Sequence, residues 1–422
     1  MIRIGVAALA LPMPFLAGGC VHAQIADVMA SAETQLRTDL EAAVAAGRIP
    51  GAIAIIVKGD QRLADVTVGY NDIAADEPLR HDAIFRLYSM SKPVTSVAIM
   101  MLAERGKLRL DDPVAKFLPE WRDMRVYVSG GLDDMVTEPV SRPITIADLL
   151  THTAGITYHF TGDTPVHLYY RKYGVMRDTP VGRLPGDGAP AQTLDELVAR
   201  LGRAPMLHQP GETFAYSYST TVLGAVIERA SGEKLDQFLK AHLLGPLGMD
   251  DTGFIVADAD LGRFTTLYRE APEGLSVAET AESSDYRDTW RLLDGGGALA
   301  GSAEDYLRFA EMLANDGVLD GRRILSKASI DAMFTPRVTL SGFGPDSVRF
   351  GYGFSLGDAA SAARGGLPAG AASWAGSGNT WFFVDREHRA VALVMTHFLG
   401  SGDGQAEVRK ALTTAFSQMV RD

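Results

Sequence analysis

The chain has little of what would staple it or bind a metal. Of its 422 residues one is cysteine, Cys20. No intramolecular disulfide can form, and a cysteine nucleophile and Cys-based zinc or iron–sulfur sites are excluded with it. Stability must come from packing. There is no H-E-x-x-H, and His152, His159 and His167 stand seven and eight apart, which matches no zinc motif. No metal site is expected, and His152 reads as structural. There is no G-x-S-x-G either, which disfavours the nucleophile-elbow hydrolases. Positive charge is short: the net charge is −12, without a local basic patch. That excludes nucleic acid as an expected partner. Repeats, heptad runs and long charge blocks are also missing.

What is present is an ordinary soluble composition, 46% hydrophobic and 22% charged. The length suits two lobes, or one domain with an insertion. The first residues read as an export signal over 1–23. Arg3 is a short basic region, Ile4 to Gly19 is apolar, and Val21-His22-Ala23 is a small-x-small cleavage site. Cleavage after Ala23 would give a periplasmic or secreted protein starting at Gln24. The rival reading takes Leu16-Ala17-Gly18-Gly19-Cys20 as an imperfect lipoprotein box, which would leave a lipid anchor at Cys20.

Residues 26–48 pattern as a helix that Gly47 and Pro50 end. Ala52 to Val57 and Arg62 to Gly69 read as a hairpin around Gly59-Asp60. Ser89 to Arg105 follows the helical template and is apolar nearly all round, which predicts a buried helix. Helical signals and loops dominate 110–300, with an irregular stretch at 157–192. Trp381 to Val384 and Ala390 to Met395 form a second hairpin, and 404–420 a closing helix. Helix–hairpin at one end and hairpin–helix at the other suggest one antiparallel sheet built from both termini. The expected class is α/β, or α+β. Residues 24–110 and 295–422 form the sheet lobe, and 111–294 a mostly helical lobe.

Ser89-Met90-Ser91-Lys92 is an S-x-x-K motif opening that buried helix. Serine needs a base, and residues three apart share a helix face, so Lys92 can reach the Ser89 hydroxyl. A dry environment disfavours the charged form of a lysine and lets it act as a base. Free N–H groups at a helix start favour developing negative charge. The motif alone is weak, because Ser89 equally fits a helix N-cap. A second copy, Ser231-Gly232-Glu233-Lys234, reads as a solvated turn between helices. Tyr216 opens another helix in Tyr216-Ser217-Tyr218. It fits either a proton relay beside a lysine or a packed aromatic. Trp374-Ala375-Gly376-Ser377 precedes a strand pair. Its small residues would let a ligand approach the backbone, though a plain loop fits as well.

Together these motifs, in this order, resemble the S-x-x-K, Y-x-N and K-T-G boxes of class C β-lactamases and D-alanyl-D-alanine peptidases. The chain is most similar to the family VIII bacterial carboxylesterases, from about residue 50 to 400. Leu149 to Gly155 followed by Ile156-Thr157-Tyr158, Pro246-Leu247-Gly248-Met249 and Gly295-Gly296-Gly297 belong to that resemblance. It implies a β-lactamase/transpeptidase-like fold, Ser89 as nucleophile, and Lys92 and Tyr216 as its proton partners. It also implies an oxyanion hole at the backbone N–H groups of Ser89 and Ser377, and a small-molecule ester substrate without a cofactor. Two departures matter. Trp374 replaces the lysine that would pair with a lactam carboxylate. Tyr218 replaces the asparagine that would hold a substrate amide. Trp374, Ala375, Gly376, Tyr218 and Tyr158 are the expected substrate-binding residues. The alternative is a β-lactamase or carboxypeptidase.

Overall fold

The computed structural model describes residues 18–178, 184–289, 291–340 and 348–420. Helix α1 (Gly18–Ala45) leads into strands β1 (Gly51–Lys58), β2 (Gln61–Asp72) and β3 (Glu77–Pro78). Helices α2 (Ser91–Glu104), α3 (Ser219–Ser231) and α4 (Ala303–Ala314) follow, with shorter elements between them. The chain then returns through β4 (Val338–Leu340), β5 (Val348–Phe350), β6 (Ser355–Leu356), β7 (Ala372–Ala375), β8 (Trp381–Asp385) and β9 (Ala390–Met395), and closes with α5 (Asp403–Val420). These nine strands form one sheet in the order β4-β5-β6-β7-β8-β9-β1-β2-β3. Every neighbouring pair is antiparallel. The two ends of the chain meet at the β9–β1 pair, where Ile53 stands opposite Met395.

The central strands are continuously apolar because both faces of the sheet are covered. One face carries Ala52, Ala54, Ala390 and Ala392, and packs with Leu36 and Leu40 of α1 and Leu412 and Phe416 of α5. Small residues there leave room for two helices. The other face carries Ile53, Ile55, Leu393 and Met395, and belongs to the main core shared with α2, α3 and α4.

Helix α2 runs through that core. Twelve of its fourteen residues are buried, as an all-round apolar helix requires. Its polar groups find partners on the loop after residue 294. Ser91 Oγ accepts from Leu299 N at 3.1 Å, and Thr95 Oγ1 donates to Gly295 O at 2.8 Å. The helix start is thereby tied to that loop.

Three expectations differ from what is observed. Residues 111–294 hold two hairpins as well as helices, Arg125–Ser129 with Val136–Pro139 and Leu267–Ala271 with Gly274–Glu279. These strands are four to six residues long and mostly exposed, with only Val126, Leu267 and Tyr268 buried, so the strand signal is weak. Trp374 and Ala375 lie on β7 itself and not on a loop before a strand. Strands β4 to β7 are two to four residues long, too short to show a period. Among the helical signals of 110–300, the helix that begins at Leu235 changes to a π turn at Lys240–Leu244. Within the irregular 157–192 stretch, Pro165–Lys172 is helical with proline in its first turn, and 179–183 lie outside the described residues. So do residues 1–17 of the export segment, while Cys20 and Val21 to Ala23 fall on α1. Among the described residues no helix is long and apolar enough to cross a membrane.

Candidate active site

Ser89 sits in a 3-10 turn, Tyr88–Met90, just before α2. Tyr88 has φ of 44°, in the left-handed region. For a bulky residue this costs on the order of 1–3 kcal/mol. The cost is offset because Tyr88 is buried, packing with Leu267 and Leu399. The turn presents Ser89 at the junction between sheet and helices.

Two groups converge on the Ser89 oxygen. Lys92 Nζ lies 3.1 Å from Oγ, one helical turn along, and the Tyr216 hydroxyl lies 2.7 Å from it. Lys92 is 1% exposed, so its amine needs fixed partners. It also donates to Gly296 O at 2.6 Å. Asp294 orders the glycine loop that supplies this carbonyl. Its Oδ1 accepts from Gly296 N at 2.7 Å and from Thr221 Oγ1 of α3 at 2.6 Å. Two of the glycines are required by the packing: a Cβ on Gly295 would lie 2.9 Å from Thr95 Oγ1, and one on Gly296 2.8 Å from Thr221 Oγ1.

Aromatic and imidazole groups surround Tyr216. The rings of His152, Tyr158 and Trp374 lie 5.0, 5.3 and 5.6 Å from it. Lys92 Nζ stands 4.8 Å above its ring. His152 Nδ1 is 3.1 Å from Ser217 Oγ. Burial, aided by the charge of Lys92, holds the His152 pKa well below the usual histidine range. The imidazole is therefore a neutral wall that fixes Tyr216. Tyr218 is anchored differently, its hydroxyl 2.7 Å from His159 Nδ1, and its ring meets Tyr158 at 4.4 Å.

The end of β7 closes the site. Gly376 N donates to Thr380 O at 2.8 Å, and Asn379 N to Gly376 O at 3.0 Å. The Ser377 amide between them has no partner among the described residues. A Cβ on Gly376 would meet both Leu87 O and Thr380 Oγ1 at 2.4 Å. Only glycine lets this turn press against the segment that carries Ser89. Ser89 and Ser377 thus border the same space.

That space has two parts. The larger is an open cleft of about 500 Å³, walled by Phe214, Val348, Leu367, Trp374 and Trp381. Its size suits a small-molecule site. The smaller is a chamber of about 90 Å³, lined by Tyr88, Tyr158, Phe160, Arg177, Tyr218 and Asp294. Ser89, Tyr216 and Ser377 line both.

The structure therefore brings together Ser89, Lys92, Tyr216 and Ser377. Trp374, Ala375 and Gly376 lie in the cleft, and Tyr158 and Tyr218 in the chamber. Of the aromatics at 157–192, Tyr173 lies 51% exposed, its ring tilted against that of Tyr169 at 4.4 Å. Sequence reasoning missed Arg177, Asp294, Phe214 and Arg409. Arg409 lines the cleft with its guanidinium 5.3 Å from the Trp381 ring. Only Asp294 had a visible signal, its place just before Gly295-Gly296-Gly297.

Known proteins are similar to this chain over most of its length. The chain is 33% identical over 395 residues to Esterase EstB of Burkholderia gladioli, covering 87% of this chain and 91% of that one. It is 36% identical over 355 residues to Protein Rv1367c of Mycobacterium tuberculosis, covering 81% and 84%. Among solved structures, EstCE1, a hydrolase with promiscuous acyltransferase activity, superposes with a TM-score of 0.76 at 26% identity, over 92% of this chain and 100% of that one. The family model described as Beta-lactamase matches residues 36–415. The chain belongs to the β-lactamase family.

Proposed function

We infer that this protein is a carboxylesterase that works through an acyl-enzyme on Ser89. One observation carries the reading. A serine oxygen lies within hydrogen-bond reach of both Lys92 and Tyr216, in a cleft walled by Trp374 and other apolar groups. The similarity to EstB, an esterase, and to EstCE1, a hydrolase, supports it.

As Ser89 Oγ bonds to the ester carbonyl carbon, its proton passes to the Tyr216–Lys92 pair. The carbonyl oxygen becomes an oxyanion held by the N–H groups of Ser89 and Ser377. Collapse breaks the bond to the alcohol oxygen, which takes the proton through Tyr216. Water then attacks the acyl-enzyme. It gives a proton to the same pair, and that proton returns to Ser89 as the acid leaves. The open cleft takes the alcohol portion, because that portion must depart and water must enter. The smaller chamber takes the acyl portion, and its size limits that portion to short chains.

A second reading, a β-lactamase or carboxypeptidase, has one observation in its favour. Arg409 offers the cleft a cation where Trp374 does not. Initial rates with 4-nitrophenyl butyrate and a chromogenic cephalosporin decide between them. Ester turnover far above cephalosporin turnover, abolished by Ser89→Ala, is the expected result. The reverse ratio would replace this reading with the second. Export with cleavage after Ala23 is proposed alongside. Determination of the mature N-terminus tests it: Gln24 agrees, and a lipidated Cys20 points to the anchored form.

A further inference from the structure

Of the described residues that line the smaller chamber, Asp294 is the one carboxylate and Arg177 the one guanidinium. They form an ion pair, Nε to Oδ2 at 3.5 Å, with side chains 11% and 6% exposed. Arg177 Nη2 also lies 3.5 Å from Gly297 O. The other oxygen of Asp294 accepts from Gly296 N and Thr221 Oγ1. Its own carbonyl accepts from Gly297 N at 3.1 Å and Ala298 N at 2.9 Å. Asp294 thus fixes the loop whose Gly296 carbonyl accepts from Lys92 Nζ at 2.6 Å.

That position has an electrostatic consequence. A buried carboxylate near a base favours the protonated base, and a cation opposes it. Both influences reach the phenols of the chamber. Burial raises the pKa of Tyr158 and Tyr218; Asp294 adds to the rise and Arg177 opposes it. Tyr158 in turn lies 5.3 Å from the Tyr216 ring. The remaining titratable neighbours bring no fixed charge to balance Asp294. Burial keeps Tyr88 neutral, as it does Tyr158 and Tyr218, and keeps His152 unprotonated. His159 is bound to the Tyr218 hydroxyl. Beyond Arg177 stand Tyr286, also kept neutral by burial, and Asp285, which is paired with Arg291 at 3.1 Å.

We propose that Asp294 and Arg177 are positioning residues that act through Lys92. Asp294 fixes the carbonyl that holds the amine, and Arg177 offsets the charge Asp294 brings, so the Tyr216–Lys92 pair can lose its proton near neutral pH. The proposal rests on the acyl-enzyme reading above and names what sets the protonation of that site.

The test is the pH dependence of kcat/KM for 4-nitrophenyl butyrate in the purified protein and in Arg177→Gln, Asp294→Asn and the double variant. The protonated pair cannot accept the Ser89 proton, so the rate falls on the acid side. Arg177→Gln leaves the Asp294 charge without its counterion and should move that acid limb up by about one pH unit. Asp294→Asn keeps an acceptor for Gly296 and Thr221, leaves the Arg177 cation, and should move it down by a similar amount. The double variant should return it close to the wild-type position. Asp294→Ala, which also removes the acceptor, should lower the plateau kcat by about a further tenfold with little change in KM. Rates that fall with the limb unmoved, or limbs that move in the same direction, would mean a structural role and overturn the proposal. Should Asp294→Asn fail to fold, Arg177→Gln decides, and a limb that stays or moves down overturns it. Either result with wild-type hydrolysis intact sinks this inference alone. Wild-type hydrolysis that survives Ser89→Ala, or is missing, sinks the acyl-enzyme reading as well.

Discussion

The chain carries S-x-x-K twice, and the two copies show how little the pattern means by itself. Ser89 to Lys92 stands at the start of a helix, and Lys92 is 1% exposed with its amine on Ser89 Oγ. Ser231 to Lys234 stands at the end of α3. Ser231 Oγ bonds back to Ile227 O at 2.7 Å and accepts from Glu233 N at 3.0 Å. Gly232 takes φ of 82° and terminates the helix. Lys234 reaches out to Glu228 at 3.1 Å, and its side chain is 61% exposed. In the second copy the lysine is solvated, and the serine oxygen is engaged by its own backbone. In the first, burial removes water and Tyr216 supplies a second partner. Environment, not spacing, separates a reactive serine from a turn.

This contrast can be broken or sharpened by substitution. Ser89→Ala should lower ester kcat/KM by at least about a thousandfold. Lys92→Met and Tyr216→Phe should each cost about a hundredfold to ten-thousandfold, chiefly in kcat. Combining them should cost less than the product of the two, because both act on one oxygen. Full additivity in a double-mutant cycle would contradict a shared relay. Gly376→Ala forces a carbon against Leu87 O and Thr380 Oγ1. The turn holding the Ser377 amide must shift, with an expected loss of about tenfold to a hundredfold in kcat. Unchanged kcat would remove Ser377 from the oxyanion hole.

The same rule of burial makes a pH prediction at His397. Burial pushes its pKa down to about 3. Its unfolded pKa is about 6.5, so the folded state binds fewer protons than the unfolded state between those values. The stability it contributes is present above about pH 6.5 and is lost as pH falls toward 3, by up to about 1.4 kcal/mol per unit. His397→Gln should flatten that part of the curve of denaturant midpoint against pH. An unaltered slope would contradict the assignment. At the small end, Ser231→Ala and Lys234→Met should leave ester kcat/KM within about twofold and change stability by about 1 kcal/mol or less.

Ser89 and Lys92 were legible because a helix brings residues three apart together. The central strands were legible because their apolar runs are long. Tyr216 lies 127 positions from Ser89, and no local pattern joins them, so its part came only from the family resemblance. Ser377 was likewise invisible to periodicity, because what it offers is a backbone amide at the end of β7. Arg177 escaped altogether, and Asp294 had no signal beyond its place before three glycines. Their meaning lies in a buried contact across more than a hundred residues, and an isolated Arg or Asp in the sequence reads as surface. The edge strands β4 to β6 were lost because two or three residues cannot show alternation.

The most direct test of the central claim is covalent labelling with a fluorophosphonate probe, followed by peptide mapping of the intact wild-type protein. A single adduct on Ser89 and none on Ser231 is expected, with ester hydrolysis lost as labelling proceeds. An adduct on another residue, or ester hydrolysis that survives complete labelling of Ser89, would contradict it.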